Sequence, residues 1–457
     1  MSTTRARREE RHRDSRPAEG PGVNRRILAL AVPALGALVA EPLFLLADSA
    51  IIGHLGVDQL AGVGLAATVV QTAVGLMVFL AYSTTAAVAR RLGAGDRATA
   101  LAMGRDGMWL GAGLGVVLAV VGWVTADPVV RALGADGPVA GFATDFLRFS
   151  MPGLIAMLLV LAATGVLRGL QDTRTPLVVA LGGFGLNIVL DLLLVYGAGW
   201  SVTGAAIGTS VAQWAMAIVY LVILGRAFAA EHLSLRPSVA GVVAASRVGS
   251  WLMLRTLSLR VAILTTVVVA TAQGPVNLAA HQLTMTMFNA LAMVLDALAI
   301  AGQALIGKEL GSGELPLVRA LTRRMIAWGL GFGVVTGVAL AAVAPWLGFL
   351  FTGEDAVRSA FTVAVLVLAA GQPICGLVFV LDGILIGAGD ARYLALTGLV
   401  NLAVYLPLLA WVHLGGAQGT AALAWLWAAF GIGYLASRAL TLSLRARTGR
   451  WMVTGAV

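Results

Sequence analysis

Lysine and cysteine are all but missing from this chain. Among 457 residues there is one lysine, Lys308, and one cysteine, Cys375. A lone thiol excludes an intramolecular disulfide. Charge of either sign is scarce: 12% of the residues are charged, against roughly 25% in a soluble domain. The balance is apolar, at 59% hydrophobic residues and a mean hydropathy of +0.91. No phosphate-binding loop of the Walker type occurs, so this chain does not drive its work with ATP. There is no HExxH pair, no metal-ligand spacing and no paired aspartate-rich motif. An intramembrane enzyme such as a prenyl transferase needs such clusters around a metal. No cofactor is expected. A cleavable signal is missing too, because the run opening at Ile27 is too long for a signal peptide and no A-x-A-like site follows.

What is present is a chain of long apolar runs broken by Gly and Pro, the signature of a polytopic membrane protein. Twelve spans are expected, at about 27–53, 60–86, 107–126, 139–165, 176–196, 203–226, 249–272, 278–303, 324–346, 357–381, 393–413 and 418–440. The 31 basic residues fix their direction. With the N-terminus inside, 27 fall in inner segments and only Arg131 and Arg358 in outer loops; Arg148 and Arg260 lie within spans. The positive-inside rule then puts both termini in the cytoplasm. The net charge of +9 is accounted for by an anionic leaflet, not by nucleic acid. Arginine in place of lysine, with Ala, Gly, Val and Leu dominant, suggests a bacterium with a GC-rich genome and hence its inner membrane.

Two motifs recur at one and the same offset. Val88–Asp96 (VARRLGAGD) returns as Ile306–Glu314 (IGKELGSGE), and Gly165–Arg174 (GVLRGLQDTR) returns as Gly383–Arg392 (GILIGAGDAR). The offset spans six helices, an even number, so the halves are parallel repeats related by an axis near the membrane normal. The expected organisation is a disordered tail at 1–26, an N-lobe at 27–228, a linking loop at 229–248, a C-lobe at 249–440 and a C-terminal tail at 441–457. The fold class is all-α and integral to the membrane: twelve transmembrane helices in two parallel six-helix lobes. Paired lobes of this kind suggest a transporter with its substrate between or within them.

Chemistry-bearing residues stand out against the apolar background. Span 1 carries Pro33, Glu41, Pro42 and Asp48. A carboxylate inside a membrane segment is costly and marks a functional candidate, and proline bends a helix. Span 5 carries Asp191, with Asn187 one turn earlier on the same face. Asp48, Asp191 and Thr209 all fall in the outer half of the membrane. At the repeat offset Asp48 corresponds to Thr266, and aligning 185–187 with 399–401 sets Asp191 against Tyr405. An acidic pair in one lobe only is easier to explain by function than by folding. Arg260 and Asp296 lie at equal depth in spans 7 and 8, which predicts a structural ion pair. Asp145 and Arg148, three apart, predict a local pair. The membrane-embedded charges read as mostly acidic. His54 and His413 read as rim residues, His281 as a hydrogen-bonding core residue, and Met285, Met287 and Phe288 as packing or an adaptable pocket wall. Trp109, Trp123, Trp200, Trp346 and Trp411 fit interfacial belts.

Pro33, Asp48, the sequence IIGHLG that closes span 1, the loop at Gly165–Arg174 and AAHQ at Ala279–Gln282 together resemble the multidrug and toxic compound extrusion (MATE) transporters, over essentially residues 24–445. The likeness is to the DinF-like branch, since span 7 has no Glu or Asp and span 10 has only Asp382 near its inner end. The resemblance implies that Asp48, Asn187, Asp191 and Thr209 couple inward flow of a cation, expected to be the proton, to export of a bulky, cationic amphipathic compound by alternating access. Pro33 serves as a bend point. The partners expected are that small molecule, the coupling ion and the bilayer, with the protein acting as a monomer. A sodium-coupled exporter, a lipid flippase of the same superfamily and an intramembrane enzyme are the alternatives.

Overall fold

The structure is a computed structural model and describes residues 21–455. Twelve helices are long and apolar enough to cross a membrane: Gly22–Gly53, Val57–Gly93, Arg97–Ala132, Gly137–Gly169, Arg174–Gly197, Ser201–Ala230, Val239–Ala272, Pro275–Ser312, Leu315–Leu350, Asp355–Gly387, Ala391–Leu414 and Gly419–Thr448. No strand occurs among the described residues. Apolar surroundings leave the backbone no water to bond, so helices that satisfy themselves are the workable spans. Pro138, Pro275 and Pro316 stand in the first turns of spans 4, 8 and 9, where a missing N–H breaks no helical bond.

The spans outrun their expected ends. Helix 1 starts at Pro21, so residues 21–26 belong to it and not to a tail; residues 1–20 lie outside the described residues. The linking loop is shorter than expected, because span 6 ends at Ala230 and span 7 begins at Val239. This loop is tied to span 3: the buried Asp106 accepts from the Ser238 backbone N–H at 3.0 Å, and Arg105 donates to the Ser234 carbonyl at 2.8 Å. The last helix continues to Thr448, through half of the expected C-terminal tail.

Neighbour relations repeat between the halves. Span 4 packs on spans 2, 3 and 6, as span 10 packs on spans 8, 9 and 12; span 1 lies along span 5, as span 7 lies along span 11. The motif glycines explain how. A Cβ on Gly165 would stand 2.6 Å from the Ala81 carbonyl oxygen, and one on Gly383 would stand 2.6 Å from that of Ala299, the residue to which Ala81 corresponds in the repeat. Span 4 therefore touches span 2 as span 10 touches span 8, backbone to backbone, which only glycine permits.

The lobes meet at the arginine-rich end. A Cβ on Gly93 would collide with the Lys308 carbonyl oxygen at 1.8 Å, and one on Gly311 with that of Arg90 at 2.0 Å. Gly93 corresponds to Gly311 and Arg90 to Lys308 in the repeat, so the first motif packs on its own second copy. Arg90 locks this seam: it donates to the Ala388 carbonyl at 2.7 Å, to that of Gly455 at 3.0 Å and to that of Val453. Arg26 pairs with Glu309 across the same seam.

Candidate functional site

Span 1 passes through Pro33 and Pro42 as one continuous helix and lies along span 5, where Phe44 stacks on Phe184 with ring centroids 5.0 Å apart. Asp48 lies one turn further along the same helix face, and its carboxyl and that of Asp191 come within side-chain hydrogen-bonding reach. Both are buried, Asp191 completely. Both oxygens of Asp191 and Oδ1 of Asp48 are buried without a hydrogen-bond partner among the described residues. One turn earlier, Asn187 donates to the Thr209 hydroxyl at 3.3 Å. The four expected residues thus come together on spans 1, 5 and 6.

Three supports were not legible in the sequence. Gly208 on span 6 makes room for Asp191, since a Cβ there would lie 2.5 Å from Asp191 Oδ1. The α-helix of span 5 ends at Asp191 and continues as a π-helical turn, Leu192–Gly197, a form that often marks functional positions. From that turn the Tyr196 hydroxyl donates to the Ile51 carbonyl at 2.6 Å, binding span 5 to span 1 one turn beyond the carboxylates.

Two ionised carboxylates facing one another are acceptors only, and they repel. A proton or a metal cation between them removes both problems. The C-lobe gives the comparison. Thr266 and Tyr405, which the repeat aligns with Asp48 and Asp191, share a 2.6 Å hydrogen bond between their hydroxyls. Both are buried. The same two positions meet in both lobes, and in one of them a neutral hydrogen bond is enough to hold the helices. The acids of the N-lobe are therefore not a requirement of the fold.

Cavities lie where the lobes meet. One of about 240 Å³ is walled mostly by the N-lobe, by Glu41, Tyr82, Arg168, Phe184 and Tyr220 among others, with Asp296 and Ile300 from span 8 of the C-lobe. A cleft of about 580 Å³ between the lobes reaches Glu41, Thr68, Gln71, Thr72 and Arg260. A third, about 310 Å³, is walled mostly by the C-lobe, with Gly75, Val78 and Tyr82 from span 2 of the N-lobe. Glu41 is accordingly a cavity residue. Span 2 is interrupted at Met77–Val78, and Val78 lines all three spaces.

Several expectations are corrected here. Arg260 and Asp296 share the C-lobe cavity but form no ion pair within 4.0 Å among the described residues. Equal depth put them level, but Arg260 turns to the N-lobe and lays its guanidinium against Gly75. Asp382, placed by sequence merely at a helix end, holds both Arg255 and Arg438, the latter at 3.3 Å. Asp145 does not pair with Arg148; Asp127 instead takes Arg131 at 2.9 Å. His281 is buried, but both ring nitrogens lack partners and the ring lies 5.5 Å from Trp427. The embedded charges are mixed: Arg168, Arg255, Arg260 and Arg438 line the cavities with Glu41, Asp296 and Asp382, and Asp48 and Asp191 are buried outside them. Phe288 packs edge-on against Phe430, and the five rim tryptophans are exposed.

Comparison with known proteins gives a consistent picture. The MatE family model matches twice, over residues 33–193 and 252–412, two stretches of equal length, one in each half of the repeat. Protein DETOXIFICATION 44, chloroplastic, from Arabidopsis thaliana is 30% identical over 84% of this chain and 75% of its own. DNA damage-inducible protein F from Escherichia coli is 29% identical over 79% of this chain and 80% of its own. In fold, the chain is similar to the Vibrio cholerae MATE transporter VcmN in the bent form, with a TM-score of 0.84 at 21% identity over 94% of this chain and 98% of that one.

Proposed function

The chain belongs to the MatE family of multidrug and toxic compound efflux transporters, and from that premise we propose a proton-driven antiporter of the DinF-like branch. It exports bulky amphipathic compounds with a cationic group. The observation that carries this reading is the buried Asp48–Asp191 pair standing where the C-lobe has the neutral Thr266–Tyr405 hydrogen bond. A proton taken up between the two carboxyls replaces repulsion with a hydrogen bond, and the pair titrates as a unit. Asn187 and Thr209 brace the wall beside it. Loss of the proton frees a negative charge that favours a cationic substrate in the N-lobe cavity, so proton and substrate compete, as antiport requires.

The N-lobe cavity supports the substrate class: Glu41 and Asp296 oppose a single Arg168 amid Tyr82, Phe184 and Tyr220. Pro33 gives span 1 a weak point through which a change at Asp48 alters the helix axis. The 27 basic residues of the expected inner segments support an orientation with both termini on the cytoplasmic side of a bacterial inner membrane. The protein works as a monomer, since each chain contains both lobes and their seam.

Reconstitution in proteoliposomes with separately imposed proton and sodium gradients tests this. Tetraphenylphosphonium serves as cargo. A proton gradient alone should drive its transport, and Asp48→Asn and Asp191→Asn should each insert and fold yet lose at least about 90% of the rate, as for loss of an essential ionisable group. Transport driven by sodium alone would instead establish the sodium-coupled reading.

A further inference from the structure

The C-lobe cavity has the opposite character to its N-lobe counterpart. Arg255, Arg260 and Arg438 line it together with Asp296 and Asp382. Asp382 is occupied, because Arg255 and Arg438 both pair with it. Arg260 has no carboxylate within 4.0 Å among the described residues. It stands where the cavity opens into the cleft between the lobes, since it lines both. Its guanidinium rests against Gly75, whose missing side chain leaves the space: a Cβ there would lie 2.7 Å from Nη2. Arg255 also keeps a buried Nε–H with no acceptor.

The shared fold does not ask for these cations. At the repeat offset, Arg255 and Arg260 correspond to Ala37 and Pro42. Ala37 and Pro42 line N-lobe-side cavities without charge. A guanidinium without a counter-ion at membrane depth is costly, and such groups mark binding paths. The planar fork of arginine matches carboxylate and phosphate oxygens two at a time.

We propose that the C-lobe cavity is an oxyanion-binding subsite, in which Arg260 receives the carboxylate or phosphate of an amphipathic compound whose apolar body lies in the cleft. Arg255 supplies the deeper positive field and its free Nε–H. The proposal rests on the exporter reading above and widens its cargo to compounds that carry an acidic group. Glu41, which lines the same cleft, then takes a cationic group when the compound has both.

Equilibrium binding to the full chain in phosphatidylcholine nanodiscs tests this. The probes are 4-pentylbenzoate, the neutral 4-pentylbenzamide and 4-pentylphenyl phosphate, followed by calorimetry. The benzoate and the phosphate should bind about tenfold more tightly than the amide, the scale of a charge-assisted hydrogen bond. Arg260→Gln should bring the benzoate-to-amide ratio to about one, and Arg260→Lys, which keeps charge but not the fork, should lower it. Discs containing phosphatidylglycerol separate the sources: competition with benzoate in the wild type but not in Arg260→Gln identifies a lipid headgroup as an occupant of the subsite. A wild-type ratio near one, or a ratio unchanged by Arg260→Gln, overturns the proposal. Should the Gln variant fail to fold, the Lys variant decides alone: a lowered ratio supports the subsite and an unchanged one overturns it. No ion gradient enters the measurement. Intact oxyanion preference with failed antiport counts against proton coupling only, and working antiport without the preference counts against the subsite only.

Discussion

Asp191 sits against a glycine. Gly208 leaves 2.5 Å between Asp191 Oδ1 and the place a Cβ would occupy, so the carboxylate fills volume that any other residue would claim. This is a position where a single methyl should alter function without unfolding the helix. Alanine is the better helix former by up to ~1 kcal/mol, and Gly208→Ala should therefore insert and melt like the wild type. By displacing the carboxylate from Asp48 it should cut proton-driven tetraphenylphosphonium transport about tenfold, since a misplacement near 1 Å costs that order or more. Gly182 on span 5 faces open space, and Gly182→Ala is the control expected to transport normally. A wild-type rate for Gly208→Ala would mean that the geometry of Asp191 does not matter. The residue scale is also where sequence reading had most to miss. Depth along a helix can be counted from the loops, and it brought Asp48, Asp191 and Thr209 to one level. Direction around the helix cannot be counted with the same certainty, which is why Arg260 and Asp296 are level and yet unpaired, and why Asp382 rather than Asp296 holds Arg255.

At the scale of elements, the duplicated motifs turn out to be contact surfaces. VARRLGAGD packs on IGKELGSGE, with Gly93 and Gly311 each taking a carbonyl of the other segment. Arg90 then bridges to Ala388, Val453 and Gly455. In the exporter proposed above, this seam parts when a substrate enters from the arginine-rich end. Gly311→Ala places a methyl 2.0 Å from the Arg90 carbonyl, too close for closure, while the helix itself tolerates alanine. Nitroxide labels on the inner loops of the two lobes, in a Cys375→Ala background, should report by pulsed electron resonance a shift toward longer distances in Gly311→Ala. An unchanged distribution would show that the seam does not gate. The repeat was visible in the sequence because residue identities survive at a constant offset. Its meaning was not, since a glycine in a string does not reveal which backbone approaches it. The π-helical turn after Asp191 was equally hidden, because an apolar run such as LLLVYG reads the same in α- and π-geometry.

Over the whole molecule, two lobes share one frame and differ in charge. Twelve spans and their parallel duplication were legible from apolar runs and from the spacing of two motifs, because the bilayer imposes length and composition on every span. The cavities were not, as they form between segments far apart in sequence. Together they give the molecule a chamber walled mostly by the N-lobe with Glu41, Asp296 and Arg168, a chamber walled mostly by the C-lobe with three arginines and two aspartates, and a cleft that shares residues with both. Proton-driven exchange requires that the N-lobe pair carry the exchanged proton. Proton release on binding reads this directly. Tetraphenylphosphonium is added to purified protein in weakly buffered solution, and the pH change is recorded against the amount bound. Exchange at the pair should release about one proton per cation bound, because the pair holds a single proton between its two carboxyls, and none should be released from Asp48→Asn. Saturable binding to the wild type with no proton released, or equal release from Asp48→Asn, would contradict it.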